Sequence, residues 1–156
     1  MRAAAICSKL LGCLHLHRQE QYDWRVQETN YNNSLPQHRT TVTLGGPDSR
    51  HPPLRVHFVH KPCAKPNAVP LLFCHGWPGS FAEVSKIIDP LIDPKSARGQ
   101  NADIQGFHVV APSIPGFGFS DASPNEGFGL RATAHVYDMI MKRLGYNEYV
   151  AHGTGW

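Results

Sequence analysis

The chain has 156 residues, enough for one domain with a real core, since a chain of this size buries about 70% of its unfolded surface. At 41% hydrophobic and 17% charged residues it falls in the globular range, a little poor in charge. The net charge is only +3, and lysines and arginines are scattered; this excludes a nucleic-acid footprint and a nucleic-acid partner.

The first segment, Met1 to Leu14, carries Arg2 and Lys9 and no acid before Glu20, a hint of a targeting segment. Lys9 interrupts the apolar run, which is too short to span a membrane. The expected element is a short helix with Ile6, Leu10, Cys13 and Leu14 on one face. Glu20 to Asn33 is polar with Tyr22, Trp24 and Tyr31 as anchors, and reads as a meander. Thr40 to Leu44 reads as a strand by its β-branched content, followed by a turn at Gly45 to Ser49. Leu54 to His60 alternates apolar and polar residues, so a strand with one solvated face is expected. Its His57 and His60 fall on opposite faces, which argues against a shared metal site, and they read as surface and edge histidines.

After a linker, Leu71 to Cys74 is a continuous apolar run of the buried-strand kind. Ser80 then caps a helix predicted to run to about Ile92, with Glu83 completing a capping box. Pro90 disturbs its last turn. Phe107 to Ala111 is a second buried strand, Pro112 to Asn125 a long Gly/Pro/Ser loop, and Leu130 to Leu144 an amphipathic helix ended by Gly145. Glu148 to Ala151 is a third buried strand, running into His152-Gly153-Thr154-Gly155-Trp156. Two solvated strands followed by β-α-β-α-β argue for an α/β fold with a mixed, mostly parallel sheet. Cys7, Cys13, Cys63 and Cys74 lack paired or metal-finger spacing, so all read as reduced and a cytoplasmic setting is expected.

The chemistry concentrates in His75-Gly76-Trp77-Pro78-Gly79-Ser80, directly after a predicted buried strand. Such a loop faces the ligand crevice of a parallel sheet. Its glycines let backbone N–H groups approach a substrate and hold a developing oxyanion.

Together with Ser113-Ile114-Pro115-Gly116-Phe117-Gly118-Phe119-Ser120 and the glycine-rich turn after the third strand, this loop resembles the α/β-hydrolase-fold epoxide hydrolases. Tyr22-Asp23-Trp24-Arg25-Val26-Gln27-Glu28 resembles the N-terminal meander of their microsomal and fungal branch. The resemblance implies residues 1–39 as an N-terminal helix and meander, and 40–156 as the first part of the core, reaching the nucleophile elbow. It implies a two-step hydrolysis of a small hydrophobic epoxide without metal or cofactor: an elbow aspartate attacks an epoxide carbon, and water cleaves the resulting ester. The backbone N–H groups of Trp77 and Trp156 are the implied oxyanion donors; His75, Gly76 and Pro78 support that loop, and the Trp77–Pro78 bond is expected to be cis.

At the aspartate's place the sequence has Gly155, which cannot attack. Thr154 would sit one residue off the elbow's apex. The family's cap tyrosines, acid and general-base histidine lie beyond position 156. His152 reads as a strand-end residue, His75 as a loop support, Ser113 and Ser120 as loop hydroxyls and Asp121 as a turn residue. The expectation is an inactive N-terminal portion of an epoxide hydrolase, with no catalytic residue intact and self-association through an exposed sheet edge. The alternatives are a non-catalytic relic or interaction module of the same half-fold, or another hydrolase such as an esterase or haloalkane dehalogenase. The family includes membrane-associated members, but no predicted segment here spans a bilayer.

Overall fold

A computed structural model describes residues 22–94 and 104–153. The expected N-terminal helix, and Thr154, Gly155 and Trp156, lie outside the described residues. Residues up to Asn33 and those from Ser34 onward form separate units.

In the first unit the structure replaces the expected meander with a helix, α1 (Trp24–Ser34). Asp23 starts it: its Oδ1 accepts the Arg25 N–H at 2.9 Å and the Val26 N–H at 3.3 Å. The Arg25 guanidinium lies 3.8 Å above the Trp24 ring and pairs with Glu28 one turn on. No apolar periodicity marks this segment; the N-cap aspartate was the available signal.

The second unit is built on a five-stranded sheet in the order β1-β2-β4-β3-β5. The strands are β1 (Gln37–Val42), β2 (Leu54–Lys61), β3 (Val69–Cys74), β4 (Phe107–Pro112) and β5 (Val150–Gly153). β1 and β2 pair antiparallel, and β3 is parallel to both β4 and β5, as a mixed sheet requires. β1 begins at Gln37, so the expected boundary at residues 39 and 40 falls inside it.

β2 is not the half-solvated strand that its alternation suggests. It pairs antiparallel with β4 as well as β1, so it is interior to the sheet, and His57 is buried rather than at the surface. The even-numbered Val56 and Phe58 join Val42, Leu72 and Val110 under α3 (Leu130–Arg143), which contributes Val136, Ile140 and Met141. The odd-numbered Val59 faces the other side, with Leu71, Phe73 and Val109. There the predicted helix 81–92 is two pieces, a 3-10 turn Phe81–Lys86 and a short helix α2 (Ile88–Ile92). A continuous α-helix would need a Pro90 N–H directed at Lys86, and proline has none. Restarting at Ile88 puts Pro90 in a first turn, where no such bond is required. Val84 and Ile88 seal this face.

The order β4-β3-β5 means that the two crossovers travel in opposite directions along the sheet. With right-handed connections this sends α2 and α3 to opposite faces, as the two cores require. α3 ends as predicted: Gly145 takes φ +89°, its N–H bonds to Lys142 O at 3.0 Å, and the Tyr146 N–H bonds to Met141 O at 2.9 Å.

Candidate active site

Parallel strands bring their following loops to one end of the sheet. The register pairs Cys74 with Gly153, and Leu72 with Val110. The end of β3, where the first loop begins, therefore lies beside the ends of β4 and β5. β3 is followed by α2 on one face and β4 by α3 on the other, so a crevice opens between the ends of these adjacent strands.

The Trp77–Pro78 peptide is cis, and the Gly79 N–H closes a turn on Gly76 O at 2.9 Å. Trp77 itself is 61% exposed. Ser80 caps the 3-10 turn as expected, its Oγ accepting the Ala82 N–H at 3.3 Å. Beneath the loop His75 is buried, 3% exposed, with both ring nitrogens engaged. Its Nε2 accepts the backbone N–H of Ile114 at 3.1 Å, and Nδ1 lies 3.0 Å from Gly76 O. An amide N–H can only donate, so Nε2 is bare and Nδ1 carries the proton. His75 thus ties the two loops together.

The second loop folds back along β2. The Ser113 N–H bonds to His57 O at 2.9 Å and the Asp121 N–H to Arg55 O at 2.9 Å. Within it, Gly116 (φ +91°) and Gly118 (φ +54°) supply the left-handed conformations that reverse the chain. A Cβ on Gly118 would stand 2.9 Å from Ser113 Oγ, so the hydroxyl also needs that glycine bare.

Asp121 is more than a turn residue. Its carboxylate takes a two-pronged contact from Arg55, Nε to Oδ2 at 2.9 Å and Nη2 to Oδ1 at 3.2 Å, and a third from Arg39 at 3.3 Å. The hydrogen bonds from Arg55 hold its carboxyl below the usual carboxylate range. Ser113 is fully buried and its Oγ lies 2.9 Å from His57 Nδ1. A serine–histidine pair sealed from solvent reaches no substrate, so Ser113 is a loop hydroxyl, as read from the sequence. Ser120 Oγ donates to Ser113 O at 3.0 Å and accepts the His57 N–H at 3.0 Å.

His152 sits on β5 with its ring stacked on Phe73, 5.5 Å between centroids. An apolar hollow of about 360 Å³, lined by Leu71, Phe73, Ile87, Leu91, Phe107 and Val150 among others, lies on that face of the sheet. It contains none of the residues of the two site loops. Among the described residues no cluster of histidine, cysteine or carboxylate side chains could hold a metal ion, and no helix is long and apolar enough to cross a membrane. Sequence reasoning missed the buried His57 and the Arg55–Asp121 pair. The signal available was the matched arrangement of hydroxyls, Ser113 and Ser120, at the two ends of one glycine-rich loop.

Residues 8–84 match the family described as epoxide hydrolase N terminus, and residues 69–155 match the alpha/beta hydrolase fold. The chain belongs to the α/β-hydrolase fold family. Within it, the relatives are epoxide hydrolases, and the chain corresponds to their N-terminal portion. It is 41% identical over 140 residues to epoxide hydrolase 1 of Oryctolagus cuniculus, covering 87% of this chain and 28% of that protein. Among solved structures, the Aspergillus niger epoxide hydrolase superposes with a TM-score of 0.72 at 32% identity, covering 95% of this chain and 35% of that one. The juvenile hormone epoxide hydrolase of Bombyx mori gives 0.74 at 30% identity, covering 96% and 32%. The chain thus spans about a third of the length of these relatives.

Proposed function

We propose that this chain supplies the oxyanion-binding part of an epoxide hydrolase site, one that opens a small hydrophobic epoxide to a diol through an alkyl ester. The observation that carries the reading is the Cys74–Gly153 register, which brings the start of the His75–Pro78 loop level with the end of β5. In this reading the Trp77 and Trp156 N–H groups are the donors to the oxygen that becomes negative when water attacks the ester. His75, Gly76 and Pro78 hold the first donor in place. Gly155 occupies the nucleophile's position, so this polypeptide cannot form the ester. Removal of a covalent nucleophile lowers turnover on the order of a million-fold.

The test compares the 156-residue chain with Gly155→Asp and Gly155→Asn, each incubated with styrene oxide. In the aspartate variant a carboxylate oxygen attacks an epoxide carbon, the ring C–O bond breaks, the freed oxygen takes a proton from water, and the hydroxy ester accumulates for want of a base. The peptide spanning position 155 is expected to gain the mass of styrene oxide only in Gly155→Asp, with no diol from any of the three chains. Labelling shared by Gly155→Asn, or steady diol release, overturns the reading. Gly155 is also the one observation that favours a second reading, a non-catalytic module of the same half-fold. The free thiols of Cys63 and Cys74 support a cytoplasmic setting for either.

A further inference from the structure

His57 belongs to neither the oxyanion loop nor the ester chemistry, yet it is buried, 4% exposed, directly behind the second loop of the site. Its Nε2 lies 3.0 Å from Gln37 Oε1 and its Nδ1 2.9 Å from Ser113 Oγ. The carbonyl oxygen of Gln37 only accepts, so Nε2 carries the proton and the bare Nδ1 takes the Ser113 hydroxyl. The backbone of the same residue binds both ends of the loop, its N–H to Ser120 Oγ at 3.0 Å and its C=O to the Ser113 N–H at 2.9 Å. Phe81 and Phe119 meet the ring edge-on at centroid distances of 4.6 and 5.2 Å, which fixes its plane. One residue along, Ile114 is held by His75.

We propose that His57 is a positioning residue for the site: with Ser113 and Ser120 it sets where the 113–121 loop stands relative to the Trp77–Pro78 loop. The proposal rests on the reading of these loops as an epoxide hydrolase site, and extends it to a residue that touches neither substrate nor oxyanion. The loop is clamped by two neutral imidazoles through adjacent residues, His57 on Ser113 and His75 on Ile114. A proton added to Nδ1 of His57 would turn an acceptor into a donor and leave the Ser113 O–H without its partner. The charged groups around the ring oppose that proton as well. Burial acts first, then Arg39, whose guanidinium is bound to Asp121, and His38, and together they push His57 down to about 4.

The experiment follows amide hydrogen exchange, resolved residue by residue, in the 156-residue chain, and needs no epoxide. Its outcome is therefore independent of the styrene oxide test. The reporters are the Ser113, Ile114 and Asp121 amides, with the Leu144 amide at the end of α3 as control. His57→Leu, which removes both ring bonds, is expected to speed the reporters about tenfold and leave the control unchanged. His57→Asn, whose carbonyl can still accept the Ser113 hydroxyl, is expected to recover to within about threefold of the parent. Ser120→Ala should loosen the same reporters and decides the matter if His57→Leu does not fold. In the parent, reporter exchange corrected for its intrinsic rate should step upward as pH falls through about 4. The step should be absent in His57→Asn. Unchanged reporters, a control that rises in parallel with them, or a failure of asparagine to rescue overturns the proposal.

Discussion

Gly118 and Gly145 both take positive φ, +54° and +89°, but only one of them is crowded. A Cβ at Gly145 would meet nothing within 4 Å, whereas one at Gly118 would stand 2.9 Å from Ser113 Oγ and 3.7 Å from Phe81 Cδ1. Left-handed backbone costs an alanine about 1 kcal/mol at either site, partly offset by the stiffer unfolded chain. At Gly118 the serine must also swing away and surrender its bond to His57, a further ~1–1.5 kcal/mol. Gly118→Ala should therefore destabilise the chain by about 2–2.5 kcal/mol and Gly145→Ala by about 1 kcal/mol. Urea unfolding reads both as shifts in midpoint at constant slope. Removing the obstacle completes the test. In a Ser113→Ala background the added cost of Gly118→Ala should fall to that of Gly145→Ala, leaving a coupling of about 1–1.5 kcal/mol. Equal costs for the two glycines in the parent chain, or no coupling with Ser113→Ala, would refute the argument that the hydroxyl rather than the backbone is the obstacle.

Asp48, 2% exposed, is held by Arg131 at 2.7 Å and by His135 at 2.9 Å. Asp48→Asn should cost about 1–2 kcal/mol, seen as a lower thermal midpoint. Because His57 is depressed from 6.5 to about 4, the unfolded chain binds more protons than the folded one between these values. Stability should hold above about pH 6.5 and fall as pH drops towards 4, by ~3 kcal/mol in all, and acid titration of a His57→Asn chain should lack that component. The outer edge of β5 pairs with no strand among the described residues, and its Val150 is 46% exposed. The 156-residue chain is expected to self-associate along that edge, with Val150→Lys shifting sedimentation towards monomer; a parent chain that sediments as a monomer at all concentrations removes the basis for this.

The apolar runs that became β3 and β4, the α3 helix and its Gly145 stop were legible because continuous burial and helical periodicity write themselves into composition. The third strand, expected to be buried over Glu148 to Ala151, is instead β5 at the end of the described sheet, and all four of its residues are exposed. The position of β2 was not. Arg55, His57 and Val59 alternate with Leu54, Val56 and Phe58 as in an exposed strand. What covers the odd-numbered side is a loop more than fifty residues away, reached through Ser113, Ser120 and Asp121. Local pattern cannot reveal a polar side chain satisfied by so distant a partner. α1 was hidden for a related reason: its support is the Asp23 cap and Arg25 pairs rather than an apolar stripe. At the site, the loop after β3 was readable from its glycines and prolines, while the link from His75 to Ile114 required the parallel register.

That link has a bearing on how the histidines of this chain respond to reagents. A group such as ethoxycarbonyl adds to an imidazole nitrogen whose lone pair is free and within reach of solvent. At His75 the only bare nitrogen is already taken by the Ile114 amide inside the protein, so the most conspicuous histidine of the sequence is also among the least reactive. The exposed His152 would be marked early, without any implication for chemistry at the loop. Loss of a property after histidine acylation would therefore point to the surface rings first, and a label on His75 would report that the two loops had already come apart.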